Sequence, residues 1–214
     1  MIKIDKTNVW NIARAVYSAR NAMNSWDKSD SDLDKDILGE NDLKLALTLA
    51  KAGSSHSKYR RMIIVSCDVT APLYWWKEYD TYKVATVANS CSTMHKIHAK
   101  EFTLDDFSHE HLISTQGETY EALDVLEEVI TALNVNRQNF LQTKDKRYWW
   151  QMIQLLPTSY NQLRTLTLNY EVLANMYHDR KNHKLDEWRD FCKWIETLPY
   201  SELITGEQNN EEKA

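Results

Sequence analysis

The sequence predicts a helix-rich domain with a minor strand component. Three observations predict it. Only four Gly and three Pro occur in 214 residues, too few for a sheet fold with many tight turns. Apolar residues recur at intervals of three and four over long stretches. Only one segment, Met62 to Val69, shows the strict alternation of a half-buried strand. Hydrophobic residues make up 43% and charged residues 27%, ordinary globular values that exclude disorder over most of the chain.

Taken in order, Met1 to Asp5 reads as a short strand or extended lead-in. Thr7 or Asn8 would cap a helix running to about Asn24, with Trp10, Ala13, Val16 or Tyr17, and Arg20 at helical spacing. Ser25 to Glu40 is polar and Asp-rich. Its alternating Asp30, Asp32, Asp34 and Asp36 suggest a calcium loop, but the sixth position is Lys35 where Gly is needed and the twelfth is Asn41 where Glu is needed. The segment is therefore read as a surface loop with helix-capping content. Asn41 caps a second helix that Gly53 stops, and Leu43, Ala46, Leu47 and Ala50 form its apolar face. In the strand Met62 to Val69, the residues Ile63, Val65, Cys67 and Val69 share one face. Pro72 suits the first turn of the next helix, which carries Trp75, Trp76 and Tyr79.

Thr81 to Lys100 has no clear period, and its run Asn89-Ser90-Cys91-Ser92-Thr93 offers amides and hydroxyls to a ligand. Glu101 to Ser108 reads as a connecting strand or loop. Four helices follow: about Gly117 to Leu133, Lys146 to Leu156 ending at Pro157, Ser159 to Asp179, and Leu185 to Leu198 ending at Pro199. In the third, Leu163, Leu166, Tyr170, Leu173 and Tyr177 line one face. In the fourth, Trp188, Phe191, Cys192 and Ile195 point inward. Residues 1–205 read as a single domain and 206–214 as an acidic flexible tail.

The formal net charge of -5 argues against a broad surface for duplex nucleic acid, though a small phosphate pocket needs only two or three cations. Three dispersed Cys without a C-x-x-C exclude a disulfide framework and a Cys-based zinc site. Met1 to Lys6 lacks the apolar run of a signal peptide and no stretch would span a bilayer, so the expected compartment is the cytoplasm. His95-x-x-His98 and His109-x-His111 could in principle bind zinc, but closed zinc sites usually recruit Cys, and no metal is expected. No Gly-rich cradle, Walker loop, H-E-x-x-H or G-x-S-x-G is present. Any phosphate must be held by Arg, Lys, hydroxyls or helix N-termini. Eight Trp and eleven Tyr suit a packed core or a wall for a flat ligand.

Two Arg on the C-terminal helices carry a family resemblance. Gln162-Leu163-Arg164-Thr165-Leu166 resembles an N-L-R-S-L segment, with Leu156-Pro157 before it. Glu187-Trp188-Arg189 resembles the end of A-Q-x-E-I-R one helix later, with Trp188 in place of the aliphatic residue. Upstream, Lys77-Glu78 stand for an R-Q pair, and Thr81-Tyr82-Lys83-Val84-Ala85-Thr86 stand for R-H-R-x-x-S. With one residue inserted, Asn89 and Ser92 stand for the later Asn and Ser of that signature. Met94 falls near its final Arg, and His56 falls near an H-x-S-P-F-E-H. This order resembles the flavin-dependent thymidylate synthases, also called thymidylate synthase complementing proteins.

The resemblance implies an α+β fold, a central antiparallel sheet flanked by long helices, and a homotetramer with sites between subunits. It implies FAD, a folate-derived one-carbon donor and NADPH, and methylation of a pyrimidine deoxynucleotide such as dUMP without a protein nucleophile. Arg164 and Arg189 would act at the nucleotide, with Asn89 and Ser92 near its phosphate and Glu78 beside it. Lys83, Tyr82, Thr86 and His56 would face the flavin. Replacing Arg-His by Thr81-Tyr82 removes a fork of donors, which motivates two alternatives: a nucleotide-binding module without flavin, or a helical interaction protein with no small-molecule site.

Overall fold

The structure is a computed structural model and describes residues 1–113 and 121–206. Four strands form an antiparallel sheet in the order β1-β2-β4-β3, with β1 Lys3–Trp10, β2 Ile64–Pro72, β3 Val87–Ser90 and β4 Asn161–Asn169. Around them lie α1 Ile12–Ala19, α2 Glu40–Lys51, α3 Leu73–Tyr79, α4 Thr93–Lys96, α5 Ala122–Thr143, α6 Lys146–Leu155, α7 Tyr170–Arg180, α8 Asp186–Glu196 and α9 Glu202–Thr205. The chain groups into two compact units. The first comprises Met1–Lys3, Thr70–Thr81 and Asn89–Arg164; the second comprises Ile4–Val69, Tyr82–Ala88 and Thr165–Ala214. The α+β class with an antiparallel sheet is as expected.

In the first unit, Leu126, Ile130 and Leu133 of α5 pack with Met152 of α6 and with Ile97, Phe102 and Phe107. The buried face of α5 recurs at helical spacing, but the helix runs ten residues beyond the predicted end at Leu133, to Thr143. The polar run Asn134 to Asn139 does not end it. Asn134 instead exchanges hydrogen bonds with the backbone of Phe102 at 2.9 and 2.8 Å. The helix stops where Lys144 turns left-handed, at φ 58°. The start predicted at Gly117 lies outside the described residues. Asp145 caps α6, accepting from Arg147 N at 2.9 Å.

In the second unit, α1 packs on α2, and α7 on α8 and α9. The aspartates of the acidic loop are spent as caps. The Asp30 carboxylate accepts from Asn41 N and Asp42 N of α2, at 2.9 and 3.1 Å. Asp36 accepts from Ala13 N of α1 at 2.7 Å. Gly39, the residue before α2, has no room for a side chain, since a Cβ there would lie 2.2 Å from Asp30. Asp42 is fully buried against Arg20 and also accepts from the Ser29 and Ser31 hydroxyls at 2.5 and 2.6 Å.

Two predicted helices are corrected. The first helix starts at Ile12 and not at Asn8, because Lys3–Trp10 is a strand and Asn11 is left-handed at φ 69°. Trp10, placed in that helix by its spacing, is on the strand and 49% exposed. The helix expected over Ser159 to Asp179 is a strand followed by a helix, β4 and α7. Leu163, Leu166 and Tyr170 mimic helical spacing, yet Leu166 and Leu168 are buried while the alternating Thr165 and Thr167 are exposed. That is the period of a sheet face, and β-branched Thr favours it. Asn169 ends the strand and caps α7, accepting from Val172 N at 3.0 Å. On β2 the predicted face holds, with Val65, Cys67 and Val69 buried. Left-handed backbone falls on several non-glycine residues, among them Asp36, Ala85 (φ 61°) and Lys144.

Candidate functional site

Arg164 lies on β4 and not on a helix, so its side chain shares a face with that of Gln162 two residues earlier. In the first unit this face meets α3. Pro72 ends β2 and caps α3 instead of lying in its first turn, and Trp75, Trp76 and Tyr79 of α3 are buried. The Arg164 guanidinium lies 4.3 Å above the Trp76 ring. Its Nη1 donates to Asp80, just past the end of α3, at 2.7 Å, and its Nε donates to Gln162 Oε1 at 3.0 Å. Nη2 has no partner among the described residues. Gln162, 8% exposed, passes the restraint on: its Nε2 donates to the Cys91 carbonyl at 2.8 Å, and its own carbonyl accepts from Trp76 Nε1 at 3.0 Å. The result is a cation fixed at one face and two nitrogens, with one edge left for a ligand. Asp80 and Gln162 were not read from the sequence. The Q-x-R spacing of Gln162 and Arg164, with its period of two, was the available signal.

Beside it in the same unit is a cavity of about 340 Å³, whose wall includes Ser92, Lys96, Asn161 and Gln162. Ser92 precedes α4 and accepts from His95 N at 3.0 Å. Cys91 N donates to the Leu163 carbonyl at 2.9 Å, joining this loop to β4. Asn89 is exposed on β3 and is not part of the cavity wall. Glu78 is half-buried on α3, and its carbonyl accepts from Thr81.

The remaining expected residues lie in the second unit. Tyr82 is half-buried, and its hydroxyl accepts from Arg180 Nε at 2.9 Å. The Arg180 guanidinium stacks 4.8 Å over Trp188 and 5.5 Å over Tyr82. Burial pushes the Tyr82 hydroxyl above its ordinary pKa, outweighing the opposite effect of Arg180. Thr86 donates to the Tyr82 carbonyl, folding the segment on itself. Lys83 is exposed. Arg189 donates to the His183 and Lys184 carbonyls at 2.8 and 3.1 Å and pairs with Asp186. It therefore clamps the turn that opens α8. His56 is exposed in the turn after Gly53 and makes none of these contacts. Among the described residues no three His, Cys, Asp or Glu side chains converge as metal ligands, and no helix is long and apolar enough to cross a membrane.

Neither a family model nor a curated relative matches the chain. Solved structures do. The flavin-dependent thymidylate synthase ThyX of Helicobacter pylori, complexed with FAD and dUMP, superposes with a TM-score of 0.70 at 15% identity, over 95% of this chain and 98% of that one. A second structure of the same enzyme with FAD and dUMP gives 0.71 at 15% identity, over 96% and 98%. The UMP/dUMP methylase PolB of Streptomyces cacaoi, bound with 5-Br dUMP, gives 0.63 at 14% identity, over 96% and 95%. Over nearly its whole length, this chain has the fold of the flavin-dependent thymidylate synthases.

Proposed function

We propose that the protein is a divergent thymidylate synthase-like enzyme acting on a pyrimidine deoxynucleotide such as dUMP. The observation that carries this reading is Arg164. A chain with this fold holds an arginine on a Trp face through Asp80 and Gln162, in the very segment that resembles N-L-R-S-L. The three neighbours are described with dUMP or 5-Br dUMP, and two of them with FAD. On this reading Arg164 and Arg189 engage the nucleotide, with Asn89, Ser92 and Glu78 around it.

The residues present fit a flavin in one respect. The segment of Lys83, Val84 and Ala85 and strand β3 are exposed, and they offer the Lys83 ammonium and edge-strand amides to a cofactor phosphate, while Thr86, its hydroxyl given to the Tyr82 carbonyl, shapes the loop that presents them. Tyr82 and His56 complete that assignment. Bound and reduced, FAD supplies a hydride, while the protein supplies binding and electrostatics. A folate-derived one-carbon donor, NADPH, a cytoplasmic setting, one domain over 1–205 and a homotetramer belong to the same proposal. The exposed β3, at one edge of the sheet, supports assembly, because uncovered edges invite pairing.

A specific observation favours a second reading, a nucleotide-binding module without flavin. Thr81-Tyr82 replace Arg-His, and Tyr82 is already tied to Arg180 and Trp188. The visible spectrum after incubation with FAD and desalting separates the two. A retained flavin band supports the enzyme; its absence, with dUMP still bound in titration, favours the module. Arg189→Ala is expected to abolish dUMP binding. It should cost about 1–3 kcal/mol of stability, because the half-exposed ion pair and the hydrogen bonds to the His183 and Lys184 carbonyls are both lost. Unchanged affinity would remove Arg189 from the site.

A further inference from the structure

The cavity beside Gln162 brings together donors that the fold does not use. We infer that it holds the phosphate end of the nucleotide and that Lys96 is its cation. The inference rests on the nucleotide reading above and adds a residue to it.

Lys96 lines the cavity and has no ion-pair or hydrogen-bond partner among the described residues. The other lysine of the wall, Lys100, is neutralised by Asp106. Asp106 is itself occupied further, since it accepts from Thr103 N at 2.9 Å. Around Lys96 stand three more unspent donors. The Ser92 oxygen accepts from His95 N, which leaves its O–H to donate. Asn161 Oδ1 accepts from Ser108 at 2.9 Å, which leaves its amide NH₂. The Tyr160 hydroxyl, also on the wall, has no hydrogen-bond partner among the described residues. One ammonium, two hydroxyls and one amide are the donor set of a tetrahedral oxyanion.

Asp105 is the opposing charge on the wall. Both it and Lys96 are exposed, so water and salt screen the two from each other, and Asp105 does not pair with Lys96 as Asp106 pairs with Lys100. The volume of about 340 Å³ suits a small ligand and not a polymer. Lys96 also lies two residues past Met94, the position where the resembling signature ends in Arg. A point charge from a neighbouring position thus replaces the missing fork.

The test compares Lys96→Met and Lys96→Arg with the unaltered chain by calorimetric titration of dUMP, deoxyuridine and inorganic phosphate, with circular dichroism as the check on folding. Lys96→Met is expected to weaken dUMP roughly 10- to 100-fold, the scale of one charge-assisted phosphate contact. It should leave deoxyuridine affinity unchanged, and Lys96→Arg should restore most of the dUMP affinity. Equal dUMP affinity in Lys96→Met and the unaltered chain would overturn the inference. If the unaltered chain binds no dUMP, the nucleotide reading fails by itself. The anion site then stands on phosphate binding that disappears in Lys96→Met, and it falls if phosphate does not bind either.

Discussion

Gln162→Leu should damage both stability and ligand binding, and the size of the effect follows from two hydrogen bonds. The substitution removes the Nε2 bond to the Cys91 carbonyl at 2.8 Å and the Oε1 that accepts from Arg164 Nε at 3.0 Å. A neutral bond is worth about 1 kcal/mol net, and one to a charged group about 1.5–3 kcal/mol. The buried Leu returns about 1 kcal/mol of apolar burial. The net loss is about 2 kcal/mol, or a fall in Tm of about 4–8 °C for a chain of this size. The Arg164 guanidinium keeps Asp80 and the Trp76 face but loses one of its anchors, so dUMP affinity should fall about 5- to 10-fold, near 1 kcal/mol. Gln162→Glu is the discriminating partner. It keeps an acceptor for Arg164 but sets a carboxylate against the Cys91 carbonyl and in the wall of the proposed phosphate cavity, so it should lose stability and dUMP affinity while retaining deoxyuridine affinity. Thermal unfolding and calorimetry read the two quantities separately. A Tm for Gln162→Leu within about 1 °C of the unaltered chain, with unchanged affinity, would refute the idea that Gln162 positions Arg164.

The buried Arg20–Asp42 pair gives a stability prediction. Asp42→Ala strands Arg20, which is 6% exposed, and should cost about 3–5 kcal/mol in urea unfolding at neutral pH; a cost below about 1 kcal/mol would contradict the pairing. Burial pushes the Asp42 carboxyl up, but hydrogen bonds from Ser29, Ser31 and Arg20 together with the Arg20 charge outweigh it and hold it below its ordinary 3.8. A lowered folded value means stability that is complete above pH 3.8 and lost as pH falls through that lower value. Asp42→Ala should therefore lose little further stability over that acid range, where the unaltered chain loses its own. Of the three thiols, Cys91 is exposed while Cys67 and Cys192 are buried, and burial pushes both buried thiols up to about 12. A disulfide reagent should titrate one thiol in the native protein and three in denaturant. dUMP should slow the native reaction, because Cys91 lines the cavity; two fast native thiols would overturn the burial of Cys67 or Cys192.

Much of the fold was legible where one period dominated. The alternation of Val65, Cys67 and Val69, the helix after Pro72, and the inward Trp188, Phe191, Cys192 and Ile195 all appear as expected. The acidic loop was legible as capping material, because calcium geometry failed at Lys35 and Asn41. Legibility broke down where two periods overlapped. Leu163, Leu166 and Tyr170 satisfy a helix by spacing, and only the β-branched Thr165 and Thr167 argued for the strand that exists. The site was legible as residue types but not as partnerships. Arg164 could be named from its segment, whereas Asp80, 84 positions away, and the Gln162 relay appear only after β4 meets α3. Lys96 carries no motif at all; it stands out only because the other lysine of the cavity wall is already paired.

The scarcity of glycine that pointed to helices has a second consequence. Where the backbone must turn left-handed, side chains occupy the corners, at a cost of about 1 kcal/mol each. Lys144 sits between α5 and α6, so its cost is slack that an engineer could recover with Gly without touching the cavity beside Gln162. Ala85 lies inside the Tyr82 to Thr86 loop. Relief there would trade rigidity for stability in the segment on which the flavin reading depends. The same backbone feature is thus spare capacity at one corner and a functional constraint at the other.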